Sequence, residues 1–467
     1  MGLLNITFIL ITLNLSLLGQ SIEDYIRDFI TKNIKRGTKY GLTVYSTNLN
    51  KPIVKINSEL PLIPASTNKL FTTSIALLSL GKNYEIKTEI LTDDNNIEDG
   101  TIDGNIYLKG SGDPTFTSQN LFEMCKKIKE KNISTITGDI IVDDSFFEET
   151  VFRNEWIEEE NISVPLPAIS SMTIDRNTIH LTVKGSTVVG KKAIIDDIEN
   201  SYITIINKTK TQGRRVRIST KSIFENGKEK IIVSGTIPLR RVTDVKVFLK
   251  NPSLFAGYLF EGFLNELGIK VKGAIRIGKT KNSLTRLAVN KTPLLELIKP
   301  INKNSDNFYA EHLFLIIGAN FAKGQGSAFD AARVIISYLK NIGIYEPDFS
   351  IVDGSGISRK NSASTGLLTN LLLQVYFNPN IFNDFYNSLS IPQMDGTLSE
   401  RFPMLFPPNR LRGKTGTLNG VTSLAGFVTA KSGDLLIFSI NFNHTYGSNN
   451  YFRSLIDKVI AIIADEL

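Results

Sequence analysis

Between Ala65 and Leu80 the residue spacing predicts a helix whose apolar positions, Leu70, Phe71, Ile75, Ala76, Leu78 and Leu80, cover much of its circumference. Such a helix must be surrounded by protein, and Gly81 is placed to cap its C-terminus. Its opening turn carries a hydroxyl and an amine, Ser66 and Lys69. Three residues apart on one face, they have Cβ atoms about 5–6 Å apart, so the lysine reaches the serine. An adjacent amine takes a serine proton only if burial or a nearby cation lowers the lysine pKa from its usual ~10.4. The helix N-terminus adds oriented N–H groups and positive potential where an acyl oxyanion would form. The same spacing recurs at Ser79 and Lys82, at a helix end, and at Ser337 and Lys340, within an amphipathic helix. Only Ser66 opens a helix, although taken alone it also reads as a simple helix cap.

A core large enough to enclose that helix is available. The 467 residues allow about three domains, and 42% hydrophobic with 21% charged residues is an ordinary soluble composition. Lys and Arg exceed Asp and Glu by 53 to 46, a net +7, but they are scattered. The excess suggests anionic surroundings without marking a nucleic-acid groove, so no nucleic-acid partner is expected. Cys125 is the single cysteine, which excludes an intrachain disulfide, a thiolate metal cage and a redox pair; it reads as a small semi-buried side chain. His180, His312 and His444 are far apart, so neither a metal nor another cofactor is expected. From Gly2 to Ile22 there is no charge, and residues 3–18 are mostly Leu and Ile, which predicts a signal peptide or leader over residues 1–20. The rest is then expected outside the cytoplasm. Retention of the leader would associate the protein peripherally with a membrane, and oligomeric state is left unassigned.

Along the chain, helical spacing at Ile22–Lys35 precedes two strands, Tyr40–Thr47 and Pro52–Ile56. Residues 82–285 change to short β-rich runs separated by Gly, Asn and Asp turns. Helices return at Pro293–Ile301, Phe308–Phe321 and Ala328–Ile342, and the chain ends strand, strand, strand, helix: Gly413–Leu418, Ser423–Ala430, Leu435–Phe442 and Tyr451–Glu466. Two further motifs sit on this frame. Ser305-Asp306-Asn307 lies between two helices and by itself reads as a polar turn. Lys414-Thr415-Gly416 lies on the first strand of the final meander and occurs once. There Gly416 would let a substrate backbone approach, while Lys414 and the hydroxyls of Thr415 and Thr417 could hold a carboxylate.

A helix-opening Ser-x-x-Lys, then Ser-Asp-Asn, then Lys-Thr-Gly on a strand resembles the active-site serine penicillin-recognising enzymes. The interval from Ser66 to Ser305 far exceeds what a simple β-lactamase-like body needs, and the excess coincides with the β-rich region. This is similar to the class C low-molecular-mass penicillin-binding proteins, the D-alanyl-D-alanine carboxypeptidase/endopeptidase family. Gly104–Leu108, Gly112-Asp113-Pro114, Gly138-Asp139-Ile140, Asp353–Arg359 and Asp395-Gly396-Thr397-Leu398 also match family patterns. The resemblance implies an α/β (α+β) transpeptidase-like domain with an antiparallel sheet flanked by helices, built from residues 21–81 and 286–467, with inserted β-rich domains over residues 82–285. It implies Ser66 as the acylated nucleophile, Lys69 as its base, Ser305 as a proton relay and Asn307 as a partner for the substrate amide. Lys414 would supply positive charge, Thr415, Gly416 and Thr417 would bind substrate, and the Ser66 and Thr417 N–H groups would form the oxyanion hole. Peptidoglycan stem peptides are the implied substrates and β-lactams the implied covalent inhibitors. Two rivals remain at this stage. One is a β-lactamase, for which Glu346 is the nearest candidate glutamate although Ser350 stands where asparagine is wanted. The other is a non-catalytic peptidoglycan-binding or sensing protein, which would have no need of Lys69 beside Ser66.

Overall fold

The computed structural model describes residues 21–153, 166–196, 201–281, 283–322, 324–405 and 407–467. The expected leader lies outside the described residues. Helix α1 (Ile22–Asn33) starts under Ser21, whose hydroxyl accepts from the Asp24 N–H, and ends where Ile34 turns extended, two residues short of the expected Lys35. It is followed by β1 (Lys39–Ser46) and β2 (Lys51–Ile56). The helix expected from Ala65 begins as a 3₁₀ turn, Ala65–Asn68, and becomes α2 (Lys69–Leu80) only after it. Gly81 ends α2 with φ of 83°, a conformation glycine adopts without a Cβ penalty.

The segment between α2 and the second motif is richer in helix than the sequence reading allowed. Its main sheet uses β3 (Glu85–Thr92), β4 (Ile106–Gly110), β5 (Ile140–Asp143), β6 (Ile275–Ile277) and β7 (Thr285–Pro293), ordered β6-β5-β4-β3-β7. The β6–β5 and β5–β4 pairs are parallel, which requires crossover connections. Helices α3 (Ser118–Lys129) and α4 (Pro252–Glu266) pack here, and both were missed. The signal for α3 was present: Leu121, Met124, Cys125 and Ile128 make an i, i+3, i+4, i+7 stripe behind a Thr117–Asn120 capping box. Cys125 is fully buried rather than semi-buried, and burial pushes its thiol up to about 12. Three three-stranded sheets complete the described part of the segment, and one of them contains Arg217–Glu225 and Lys228–Ile237 paired antiparallel.

The chain returns through α5 (Leu294–Lys303), α6 (Asn307–Phe321), α7 (Ala328–Asn341), α8 (Thr365–Tyr376) and α9 (Phe382–Ser388). It finishes with β8 (Leu411–Leu418), β9 (Val421–Thr429), β10 (Leu435–Asn443) and α10 (Asn449–Glu466). The two chain ends share one antiparallel sheet, ordered β8-β9-β10-β1-β2, with Val44 opposite Phe438 where they meet. Both faces of this sheet are covered. Tyr45, Phe427 and Ile437 pack with α2, α6 and α8, while Val44, Leu424 and Phe438 pack with α1 and α10. That is why β9 is buried at every residue but Thr429. The fold is therefore mixed α and β, with helices on both sides of an antiparallel sheet and additional sheets inserted between its parts.

Candidate active site

The 3₁₀ turn at Ala65–Asn68 is held from three sides. Ala65 has φ of 50°, unusual for a residue with a Cβ. From β9, the Ser423 hydroxyl donates to the Pro64 carbonyl at 2.7 Å, as does that of Thr67. From beneath, Asn68 Nδ2 donates to the Asp353 carbonyl at 2.8 Å, and Thr72 Oγ1 to that of Gly354 at 2.9 Å. From β8, Gly416 lies so close that a Cβ there would sit 2.8 Å from the Pro64 oxygen and 3.0 Å from the Thr67 nitrogen. This adds to the role expected of Gly416: its missing side chain also admits the serine's own turn.

Ser66 is half-buried, and Lys69 is completely buried beneath it. Lys69 Nζ lies 3.0 Å from Ser66 Oγ, 2.7 Å from Asn307 Oδ1 and within hydrogen-bond reach of the Ser355 carbonyl oxygen. The last two are acceptors only, so they hold two N–H bonds of the amine whatever its charge. When the third proton leaves, the lone pair is directed at Ser66. Desolvation by burial lowers Lys69 from 10.5 to about 8, opposed by the negative charge of Asp353, Glu311 and Asp306.

Those carboxylates belong to a buried frame that the sequence reading did not assign. Asp353 accepts from the Gly356 and Ser358 N–H groups, both at 2.7 Å, and from Asn361 Nδ2 at 2.9 Å. Burial, reinforced by the charge of Glu311, raises Asp353 to about 6. Glu311 pairs with Arg153 at 2.7 Å and accepts from the Ser355 N–H at 2.8 Å, so it positions the carbonyl that Lys69 uses. A charged residue inside the otherwise apolar α6 was the legible signal for Glu311. Nothing local pointed to Arg153.

Ser305, with φ of 59°, ends the turn after α5 and presents its hydroxyl to Lys414 Nζ at 2.9 Å. Lys414 also donates to the Thr415 carbonyl at 2.7 Å and is fully buried. Burial first, and the charge of Lys69 second, hold it well below the usual lysine range. Burial thus works against the positive charge expected of Lys414 from sequence, and an acceptor carboxylate beside it would favour its protonation. Asp306 caps α6 by accepting from the Tyr309 N–H at 3.1 Å. Its carboxylate pairs with Arg176 of the inserted segment, whose guanidinium lies 4.9 Å from the Phe308 and Tyr309 rings.

Ser66 and Ser305 open together into a cleft of about 630 Å³ whose wall includes Thr397, Thr415 and Thr417. Lys69 bonds Ser66, Asn307 bonds Lys69, and Lys414 bonds Ser305, so the three motifs meet at this cleft. Asp395-Gly396-Thr397-Leu398 also reaches the cleft, where Thr415 Oγ1 donates to Thr397 Oγ1 at 2.8 Å and Asp395 pairs with Lys303. Glu346 does not line this cleft. His312 is buried against Phe308 and His444 stacks on Phe452, each hydrogen-bonded within the fold.

A profile of the D-Ala-D-Ala carboxypeptidase 3 (S13) family matches residues 20–463. The chain belongs to that family. Among curated relatives it is 25% identical to a D-alanyl-D-alanine carboxypeptidase of Haemophilus influenzae, over 90% of this chain and 88% of the relative. It is 28% identical to a D-alanyl-D-alanine carboxypeptidase of Actinomadura, over 88% and 78%. Penicillin-binding protein 4 of Haemophilus influenzae shares the fold with a TM-score of 0.79 at 23% identity, over 94% of this chain and 99% of that one.

Proposed function

We propose that this S13 protein is a serine-type D-alanyl-D-alanine carboxypeptidase, with D,D-endopeptidase activity as its second expression, acting on peptidoglycan stem peptides. The observation that carries this reading is the Lys69 amine, 3.0 Å from Ser66 Oγ with two other N–H bonds fixed on acceptors. Neutral Lys69 takes the Ser66 proton as Oγ attacks the carbonyl carbon of the penultimate D-alanine. The oxyanion is held by the Ser66 and Thr417 N–H groups. Ser305, bonded to Lys414, passes a proton to the departing amine, while Asn307 orients both Lys69 and the substrate amide. Thr417 holds the carboxylate of the leaving residue, with Thr415 bonded to Thr397 on the cleft wall beside it, and that negative charge favours protonation of Lys414. Water then hydrolyses the ester on Ser66. A β-lactam enters the same route and stays as a covalent ester. Cell-wall peptides place the protein outside the cytoplasm, and we assign it to the periplasmic or equivalent extracytoplasmic space.

The reading is tested by incubating purified stem pentapeptide and a cross-linked dimer with the protein and with Ser66→Ala. Ser66-dependent release of D-alanine is expected. Intact pentapeptide after exposure to unaltered protein would contradict the reading. Cleavage of the dimer distinguishes the endopeptidase component, and its absence would restrict the activity to carboxypeptidase.

A further inference from the structure

Arg453, in the first turn of α10, lies on the wall of the Ser66 cleft and belongs to none of the three motifs. Its Nη2 donates to Thr417 Oγ1 at 3.2 Å and its Nη1 to Asn450 Oδ1 at 3.2 Å. Both partners are neutral. The neighbouring guanidinium of Arg401 is matched by Asp457 in an ion pair, with side chains only 12% and 18% exposed. Glu400 and Asp457 also line the cleft, yet Arg453 has no ion-pair partner among the described residues. Its guanidinium therefore faces the cleft bonded only to neutral side chains.

The bond to Thr417 has a second consequence. A guanidinium carries donors only, so Thr417 Oγ1 must accept, which leaves its own hydroxyl proton for another acceptor. Thr415 differs, since its hydroxyl donates to Thr397. We propose that Arg453 and Thr417 act as one receptor for the carboxylate on the residue that leaves when Ser66 is acylated. Arg453 supplies charge and a planar pair of donors, and Thr417 supplies an oriented hydroxyl. The proposal deepens the carboxypeptidase reading and rests on it. Both a terminal D-alanine and a cross-linking residue with a free carboxylate beside the cleaved bond present the anion this receptor fits.

Two acyl-D-alanyl thioesters separate the effect from general damage: one whose leaving group ends in a carboxylate, as in thioglycolate, and its carboxamide counterpart. Arg453→Gln should lower kcat/KM for the carboxylate thioester about 10- to 100-fold, the scale of a lost charged hydrogen bond. The carboxamide should change by less than about threefold, with Arg453→Lys restoring part of the loss. Equal losses on both thioesters, or no loss on the carboxylate, would overturn the proposal. Absence of Ser66-dependent turnover of either thioester by unaltered protein would instead overturn the activity on which it rests.

Discussion

Lys69 works as a base only in its neutral form, and its environment decides when that form exists. Because burial lowers it to about 8, the amine is mostly protonated at pH 6, and acylation by penicillin should climb with pH before levelling above about 8. The slope below the plateau should be roughly tenfold per pH unit. Stopped-flow rates that are flat from pH 6 to 9 would assign the base elsewhere. Asp353→Asn removes the negative charge that contributes most to holding the proton on Lys69, so the rising limb should move to lower pH. A limb that stays in place or moves up would show that Asp353 does not act on Lys69 electrostatically. At this scale the sequence was informative wherever a motif named a residue, because three-residue spacing on a helix fixes a side-chain encounter locally. It was silent on Arg153, which pairs with Glu311 from a distant segment, and it gave Lys414 a charge that burial disfavours.

Gly416 joins two elements that the sequence separates widely, the serine turn and β8. An added Cβ would lie 2.2 Å from Ser423 Oγ as well as close to Pro64 and Thr67. Gly416→Ala should therefore destabilise the protein by about 1–3 kcal/mol and slow acylation, because the strand must move off the turn. Gly413→Ala on the same strand makes a useful comparison: the atoms nearest its Cβ would be side-chain carbons of Leu424, Leu411 and Leu398, at 3.1–3.4 Å. Thermal denaturation and acylation rates should rank Gly416→Ala as clearly worse, and equal effects would contradict this packing account. Elements with strong periodicity were legible, including the closing meander and its helix, within a residue or two at most ends. The inserted segment was less so. Its turn-rich texture masked α3 and α4, and parallel pairing between strands far apart in the chain leaves no local signature.

Across the whole molecule, the inserted segment reaches the site at Arg153, which pairs with Glu311, and at the Ser305 turn through a turn of its own. Asp175, Arg176 and Asn177 all have positive φ, between 48° and 57°, and they deliver the Arg176 guanidinium to Asp306 at 2.9 Å, between Ser305 and Asn307 in the chain. Arg176→Gln should lower the acylation rate roughly 3- to 10-fold, on the scale of one partly exposed ion pair with its ring contacts, with little change in penicillin binding before acylation. An unchanged rate would confine the insertion to a role away from the Ser305 turn. The order of the motifs announced that the two chain ends would fold together, while the Arg176 bracket could not be read from sequence because its partners meet only in the folded chain. All of this depends on Ser66 being the atom that attacks. The most direct measurement is peptide mapping by mass spectrometry after brief exposure to penicillin: one penicilloyl group is expected on Ser66 and none on Ser66→Ala, whereas a label on Ser305, or one that persists in the variant, would contradict the account.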